Sequence, residues 1–385
     1  MIFIVKPGPV LVHCLCIQSR RGNRSFASQR QEAVVDKVRV GMIGAGRITD
    51  LHYPAYRHYD KAELVWICDQ CAETAKKRAA QWQVPKWTTD IHQVFADPDI
   101  DMVEINTPHH LHHPMVLKAA EAGKHIQLQK PMGLNIAQCR DMIAAADRAG
   151  VMLKVIENFV FYPPYRKAKE LMDAGEIGEL LSMRIKLGAA GTGGWYVPLD
   201  TWVWRLAETE KGGGPTIYDD GYHKFSIAQY FGGKVAKVFS WIDRSMGFID
   251  SPAIVSWQHE NGVLGCIDAT FSANLNCKSK YYSADERVEL TGTKGVIWVT
   301  QCTGRLLEEP GVILSKDGVR TSYDHIPTDW VESFKGSTRH FIDCILTGGE
   351  PFLTGRQALE VQQFCLAAIC SARIGAEVRP DDMVE

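Results

Sequence analysis

The chain carries no surplus of charge. Its 385 residues hold 43 lysines and arginines against 45 aspartates and glutamates, a formal net charge of -2. That balance gives no global field for nucleic acid or anionic lipid, and no run of five basic residues supplies a local one. Nucleic-acid and membrane-surface partners are therefore not expected. No stretch is long and unbroken enough to span a bilayer. The most apolar segment, MIFIVKPGPVLVHCLCIQ, is interrupted by Lys6, two prolines and His13. It also lacks the positive end that precedes the apolar core of a signal peptide, because RRGNR follows it. Residues 1–36 read as a loosely attached or disordered extension, and the protein is expected in the cytoplasm. The 11 cysteines form no dense framework. Cys68 and Cys71 have CxxC spacing but no second pair, so a zinc site is not expected and the cysteines read as thiols in a reducing compartment. Low-complexity composition is absent too. With 45% hydrophobic and 23% charged residues, the length suits two or three globular domains.

The amino-terminal half alternates strand and helix signals. VRVGMI (38–43) is a buried-strand candidate, followed by Gly44-Ala45-Gly46-Arg47-Ile48-Thr49. This is a G-x-G-x-x-[G/A] pattern with Thr49 in the third place. The glycines allow a tight turn and close approach of a pyrophosphate, and the helix behind them would aim free N–H groups at it. ELVWICD (63–69) ends in Asp69, about twenty residues on, where a carboxylate accepts the ribose hydroxyls of NAD. No basic pair stands there to neutralise a 2′-phosphate, so NAD is expected over NADP. Further helices are predicted over 73–82, 88–97, 112–123 and 135–150, with strands over 101–108, 125–131 and 151–158. The pattern is α/β, a doubly wound parallel Rossmann sheet. Ligands of such sheets bind at the carboxyl ends of strands, which here carry Thr107, Pro108, His110, Lys130 and Asn158. His113 and Gln129 join them as candidate cofactor contacts. Four histidines between 109 and 113 invite a metal reading, but no acidic or cysteine partner lies near in sequence, and no metal is expected.

After Asn158 the period changes. A proline-started helix over 161–180 precedes runs of period two at 180–188, 234–245, 253–272 and 287–300. These predict an α+β domain with an open, mostly antiparallel sheet. Between the first two runs lies a glycine- and tryptophan-rich insert (188–224). Trp195, Tyr196, Trp202 and Trp204 lie within it, and aromatic faces suit the C–H faces of sugars. Trp195, Tyr196, Trp204 and Arg205 are candidate substrate contacts. If 217–230 is one helix, Asp219 and His223 form an i, i+4 pair able to move a proton near neutral pH.

Taken in order, GAGRI (44–48), INTPHHLHHPMVLKAAEAGKHI (105–126), KP (130–131), ENFVFYPPYRKAKELMDAGEIGEL (157–180), GGG…DDGYH (212–223), ELTGTKGVI (289–297) and the segment 340–375 resemble the Gfo/Idh/MocA family. This is the family of glucose–fructose oxidoreductase and inositol dehydrogenase, and the resemblance covers about 37–382. It implies a cofactor domain over 37–157, a substrate and oligomerisation domain over 158–385, and redox chemistry on a sugar or cyclitol hydroxyl. A homodimer or homotetramer is also implied. The family lysine falls on Lys130, and its Asp-x-Gly-x-His element on Asp219 and His223. One departure is chemical: Gln129 replaces the glutamate of Glu-Lys-Pro, so Lys130 loses a charge partner unless another carboxylate replaces it.

These readings predict that His223 acts as general base, that Asp219 orients substrate and favours the charged imidazole, and that Lys130 stabilises the developing alkoxide. Two alternatives stand beside this one. The first is redox-neutral glycoside cleavage through a 3-keto intermediate with NAD recycled. The second is a non-catalytic protein that binds NAD or sugar.

Overall fold

A computed structural model describes residues 37–196, 215–245 and 249–384. The extension 1–36, Trp202 and the expected contacts Trp204 and Arg205 lie outside the described residues.

The first sheet is built from β1 (Val38–Ile43), β2 (Ala62–Cys68), β3 (Lys86–Thr88), β4 (Met102–Ile105), β5 (His125–Gln129) and β6 (Leu153–Ile156). All are parallel, in the order β3-β2-β1-β4-β5-β6. Both faces are covered, so strands such as β1 and β4 are apolar almost throughout. Helices α1 (Thr49–His52), α2 (Ala72–Trp82), α3 (Ile91–Ala96), α4 (His112–Glu121) and α5 (Ile136–Ala149) connect them. Asn135 caps α5, and Gly150 ends it in the left-handed conformation. The strand order reverses between β1 and β4, which opens a crevice at their carboxyl ends.

The second sheet follows α6 (Pro163–Asp173). It contains β7 (Leu180–Thr192), β8 (Val235–Ile242), β9 (Ala253–His259), β10 (Leu264–Asn276), β11 (Ala284–Gly292), β12 (Gly295–Val299), β13 (Val312–Lys316) and β14 (Val319–Tyr323). Its order is β14-β13-β12-β11-β7-β10-β9-β8, antiparallel except for β7 against β10. Two single runs predicted from sequence, 253–272 and 287–300, are hairpins: β9–β10 and β11–β12. The turns Glu260-Asn261-Gly262 and Thr293-Lys294 divide them. One sheet face packs on helices. The other exposes Trp241, its cross-strand neighbour Ile254, and Leu264.

Helix α7 (Gly221–Gly232) packs under the second sheet, and α8 (Val331–Thr347) and α9 (Gly355–Ile374) complete the fold. Helix α8 comes from the far end of the chain yet lies on the first sheet. Glu104, Gln127 and Lys154 form one buried cross-strand row on β4, β5 and β6. Gln127 donates to Thr338 at 3.1 Å and Lys154 to Ser337 at 2.8 Å. Asn158 donates to Ser333, one turn earlier on α8, at 2.8 Å. Burial pulls the Lys154 ammonium down to about 7, despite the nearby carboxylates Glu104 and Glu157.

The native amine therefore titrates below the unfolded one. Between pH ~7 and ~10.5 the unfolded chain binds a proton that the folded protein does not, so this residue makes stability rise with pH in that window. Lys154→Met is expected to remove that slope and to stabilise the protein at pH 7 by up to about 5 kcal/mol. Urea melts of both proteins at pH 7 and pH 10 check this. A difference between them that does not change with pH would contradict it.

Candidate active site

Gly44 ends β1 at φ +84, and a Cβ there would lie 2.5 Å from the Asn106 carbonyl oxygen. Only glycine allows the ends of β1 and β4 to come this close. A Cβ at Gly46 would meet nothing within 4 Å, so the turn is open on its outer side. The helical ladder begins with Thr49 N–H on Gly46 O, leaving the N–H groups at 46–48 ahead of it. Thr49 is buried and closes the turn with its hydroxyl on Gly46 O at 2.5 Å. Asp69 accepts from Ala45 N at 2.8 Å and Cys71 N at 2.9 Å, which binds the glycine turn to the end of β2. An open glycine turn, exposed N–H groups and a carboxylate at the second strand end suit a dinucleotide.

Other expected cofactor contacts divide. Thr107 and Pro108 follow β4 at the crevice. His113 instead bonds Asp141 of α5 at 2.7 Å. Asn158 is 1% exposed and its amide donates to Ser333 of α8. His110 is exposed, whereas His109 is buried with Nε2 3.8 Å from Asp219. His112 lies between the two strand ends, its ring nitrogens 3.0 and 2.9 Å from the carbonyls of Thr107 and Pro131, and as a neutral imidazole it donates to one of them. The histidine run is thus split among separate tasks, and among the described residues no group of metal-ligating side chains could hold an ion.

Lys130 follows β5 directly and enters a cis peptide bond with Pro131. Its Nζ lies 2.6 Å from Asp219 Oδ1 and 2.8 Å from the Asp219 carbonyl. Asp219 is thus the carboxylate partner of Lys130. This corrects the expected Asp219–His223 pair. Residues 215–220 form a π-helical turn, not the start of one α-helix, and α7 begins only at Gly221. The wider turn breaks the i, i+4 stacking. Asp250 fixes it by accepting from Thr216 N at 2.8 Å and Ile217 N at 2.9 Å.

His223 has a different carboxylate partner. Its Nδ1 lies 2.8 and 2.9 Å from the two oxygens of Glu157, and both side chains are buried. Phe159 stacks on the imidazole at 4.3 Å. Burial lowers the pKa of His223; Glu157 opposes that, and Lys130 adds to it. Behind Phe159, Lys224 lies 4.2 Å from the ring centroid, paired with Glu286 and 3.5 Å from Asp220. Glu157 and His109 were missed from the sequence. The sequence signal for Glu157 is an acidic residue directly after the buried strand LKVI, beside Asn158.

Trp195 bridges the two halves. It packs edge-on against Tyr281 and Tyr282, and the Arg47 guanidinium lies 4.4 Å over its ring. Tyr196 is 76% exposed.

Residues 38–157 match the oxidoreductase family with an NAD-binding Rossmann fold, and 165–298 match the GFO/IDH/MocA C-terminal domain. The chain belongs to the Gfo/Idh/MocA family. It is an oxidoreductase of that family, and NAD is its cofactor. It is 29% identical to scyllo-inositol 2-dehydrogenase (NAD(+)) of Bacillus subtilis over 90% of this chain and 97% of that one. It is 28% identical to D-apiose dehydrogenase of Paraburkholderia graminis over 89% and 90% of the two chains. A solved oxidoreductase from Agrobacterium radiobacter, in complex with NAD+, L-tartaric acid and magnesium, shares the fold. Its TM-score is 0.78 at 23% identity, covering 90% of this chain and 100% of that one.

Proposed function

We propose that this Gfo/Idh/MocA protein oxidises a secondary hydroxyl of a sugar, inositol or related cyclic polyol with NAD. The observation that carries the reading is the pairing of Lys130 with Asp219 beside a buried His223–Glu157 dyad. Similarity to the scyllo-inositol and D-apiose dehydrogenases supports the substrate class.

In this reading the N–H groups of Gly46, Arg47 and Ile48 face the pyrophosphate, and Asp69 receives the adenosine ribose. The Arg47 side chain is turned to Trp195, so it contributes through its backbone. NAD supplies the hydride acceptor. Lys130 donates to the reacting oxygen and stabilises negative charge as it develops there. His223, with Nδ1–H on Glu157, offers Nε2 to the hydroxyl proton. Glu157 then stabilises the imidazolium, the role first expected of Asp219. Asp219 holds Lys130 in place.

The test is NADH formation by the purified protein across inositols, aldoses and glycosides, with NADP in parallel. Stoichiometric NADH on a cyclic polyol is the expected result. Glycoside cleavage with no net NADH, or no turnover on any of them, would overturn the proposal. Asp69 repels a 2′-phosphate, so kcat/KM with NAD is expected to exceed that with NADP by about tenfold or more, ~1.4 kcal/mol. Asp69→Ala is expected to erase most of that preference. A wild-type preference for NADP would contradict the assignment of Asp69. The exposed face with Trp241, Ile254 and Leu264 is assigned to self-association, to be read by sedimentation of the wild type against Trp241→Glu.

A further inference from the structure

The segment ending in Lys130 is tied to a buried chain of polar side chains that the proposed proton transfer does not use. Gln129 Oε1 accepts the N–H of Lys130 at 2.9 Å, and Gln129 Nε2 lies 3.2 Å from His52 Nε2. His52 Nδ1 is paired with Glu104, whose other oxygen accepts the Tyr56 hydroxyl. His52 and Glu104 are wholly buried, and Tyr56 nearly so.

The protons can be assigned from chemistry alone. An amide nitrogen only donates and an amide oxygen only accepts. With Gln129 Oε1 on the Lys130 N–H, the amide nitrogen must face His52. His52 Nε2 is then the acceptor, and the ring's single proton sits on Nδ1, against Glu104. Turning the amide over would set two donors face to face at Lys130. The two Glu104 oxygens face two donors, the Tyr56 hydroxyl and the proton on His52 Nδ1, as a carboxylate requires. Glu104 is thus the anion at which the chain ends. From the Lys130 amide through Gln129 and His52 every donor points the same way, and aligned bonds polarise one another.

We propose that His52 is a positioning residue for Lys130. As a neutral, Nδ1-protonated imidazole it fixes the Gln129 amide and relays the charge of Glu104 to the Lys130 backbone, so that no carboxylate is needed at position 129. The functional part rests on the proposed role of Lys130. With Gln129→Glu, two carboxylates would face one imidazole. His52 would take up a proton, and the cluster would keep one net negative charge.

Nitrogen-15 spectra of the full-length protein with labelled histidine test the assignment, His52 being identified by its loss in His52→Gln. The wild type should show a protonated Nδ1 and a bare Nε2, and Gln129→Glu should show an imidazolium. An imidazolium or the opposite tautomer in the wild type, or no change in Gln129→Glu, would overturn the proposal. These spectra need no substrate, so their failure is separate from failure of the polyol reading. Kinetics supply the second arm. His52→Gln can both donate to Glu104 and accept from Gln129, and should keep kcat within about threefold. His52→Phe should lose about 100-fold in kcat with NAD affinity little changed. Full turnover in His52→Phe would overturn the positioning role. If His52→Phe does not fold, a large kcat loss in His52→Gln would do so instead.

Discussion

Lys130→Met should abolish most turnover, lowering kcat by about 1,000-fold. Loss of a donor aimed at developing oxyanion charge accounts for ~100- to 1,000-fold. The remainder follows from Asp219, which is 7% exposed and would be left as a buried carboxylate without its ammonium. Removing the ammonium from beside this buried carboxylate should also destabilise the fold. The double variant Lys130→Met/Asp219→Asn should therefore regain much of the stability while remaining inactive. Steady-state kinetics combined with urea melts separate the two effects. More than a tenth of wild-type kcat in the single variant would remove Lys130 from the chemistry.

Glu157→Gln should lower kcat by about 100-fold and, at the same time, move the acid limb of the pH profile to lower pH. The sign follows from the environment of His223. Burial and Lys130 lower its pKa, and Glu157 alone among its named influences of substance raises it. Removing that charge makes the imidazole harder to protonate. The base stays neutral to lower pH, yet it is a weaker base when the proton must be taken. His223→Asn should lose at least as much activity and should abolish the acid limb due to this residue. A merely structural Glu157 would reduce activity without moving the limb. An unshifted limb in Glu157→Gln would therefore show that the dyad does not act in proton transfer.

The local parts of this site could be read from the chain. Gly44 to Thr49 form one turn, and the alternation of apolar strand and amphipathic helix is visible over windows of ten residues. Lys130 and Asp69 stand at strand ends, and topology alone places those beside a ligand. What failed was pairing across distance. Glu157 meets His223 over 66 positions, and Lys130 meets Asp219 over 89. The i, i+4 rule assumed a regular helix, and a π turn pinned by Asp250 removed the assumption. The hairpins at 260–262 and 293–294 were hidden because alternation of period two continues through both of their strands.

Helix α8 has a consequence for anyone who would exchange parts between members of this family. Phe341 and Ile342 share one apolar cluster with Val38, Val40 and Met42 of the first strand, and Ser337 and Thr338 hold Lys154 and Gln127. A chimera joined near residue 157 would graft a foreign helix onto that surface and leave two polar side chains facing a partner chosen for another protein. The interchangeable unit is discontinuous: the first 120 residues of the cofactor sheet travel with a helix encoded some 170 residues downstream.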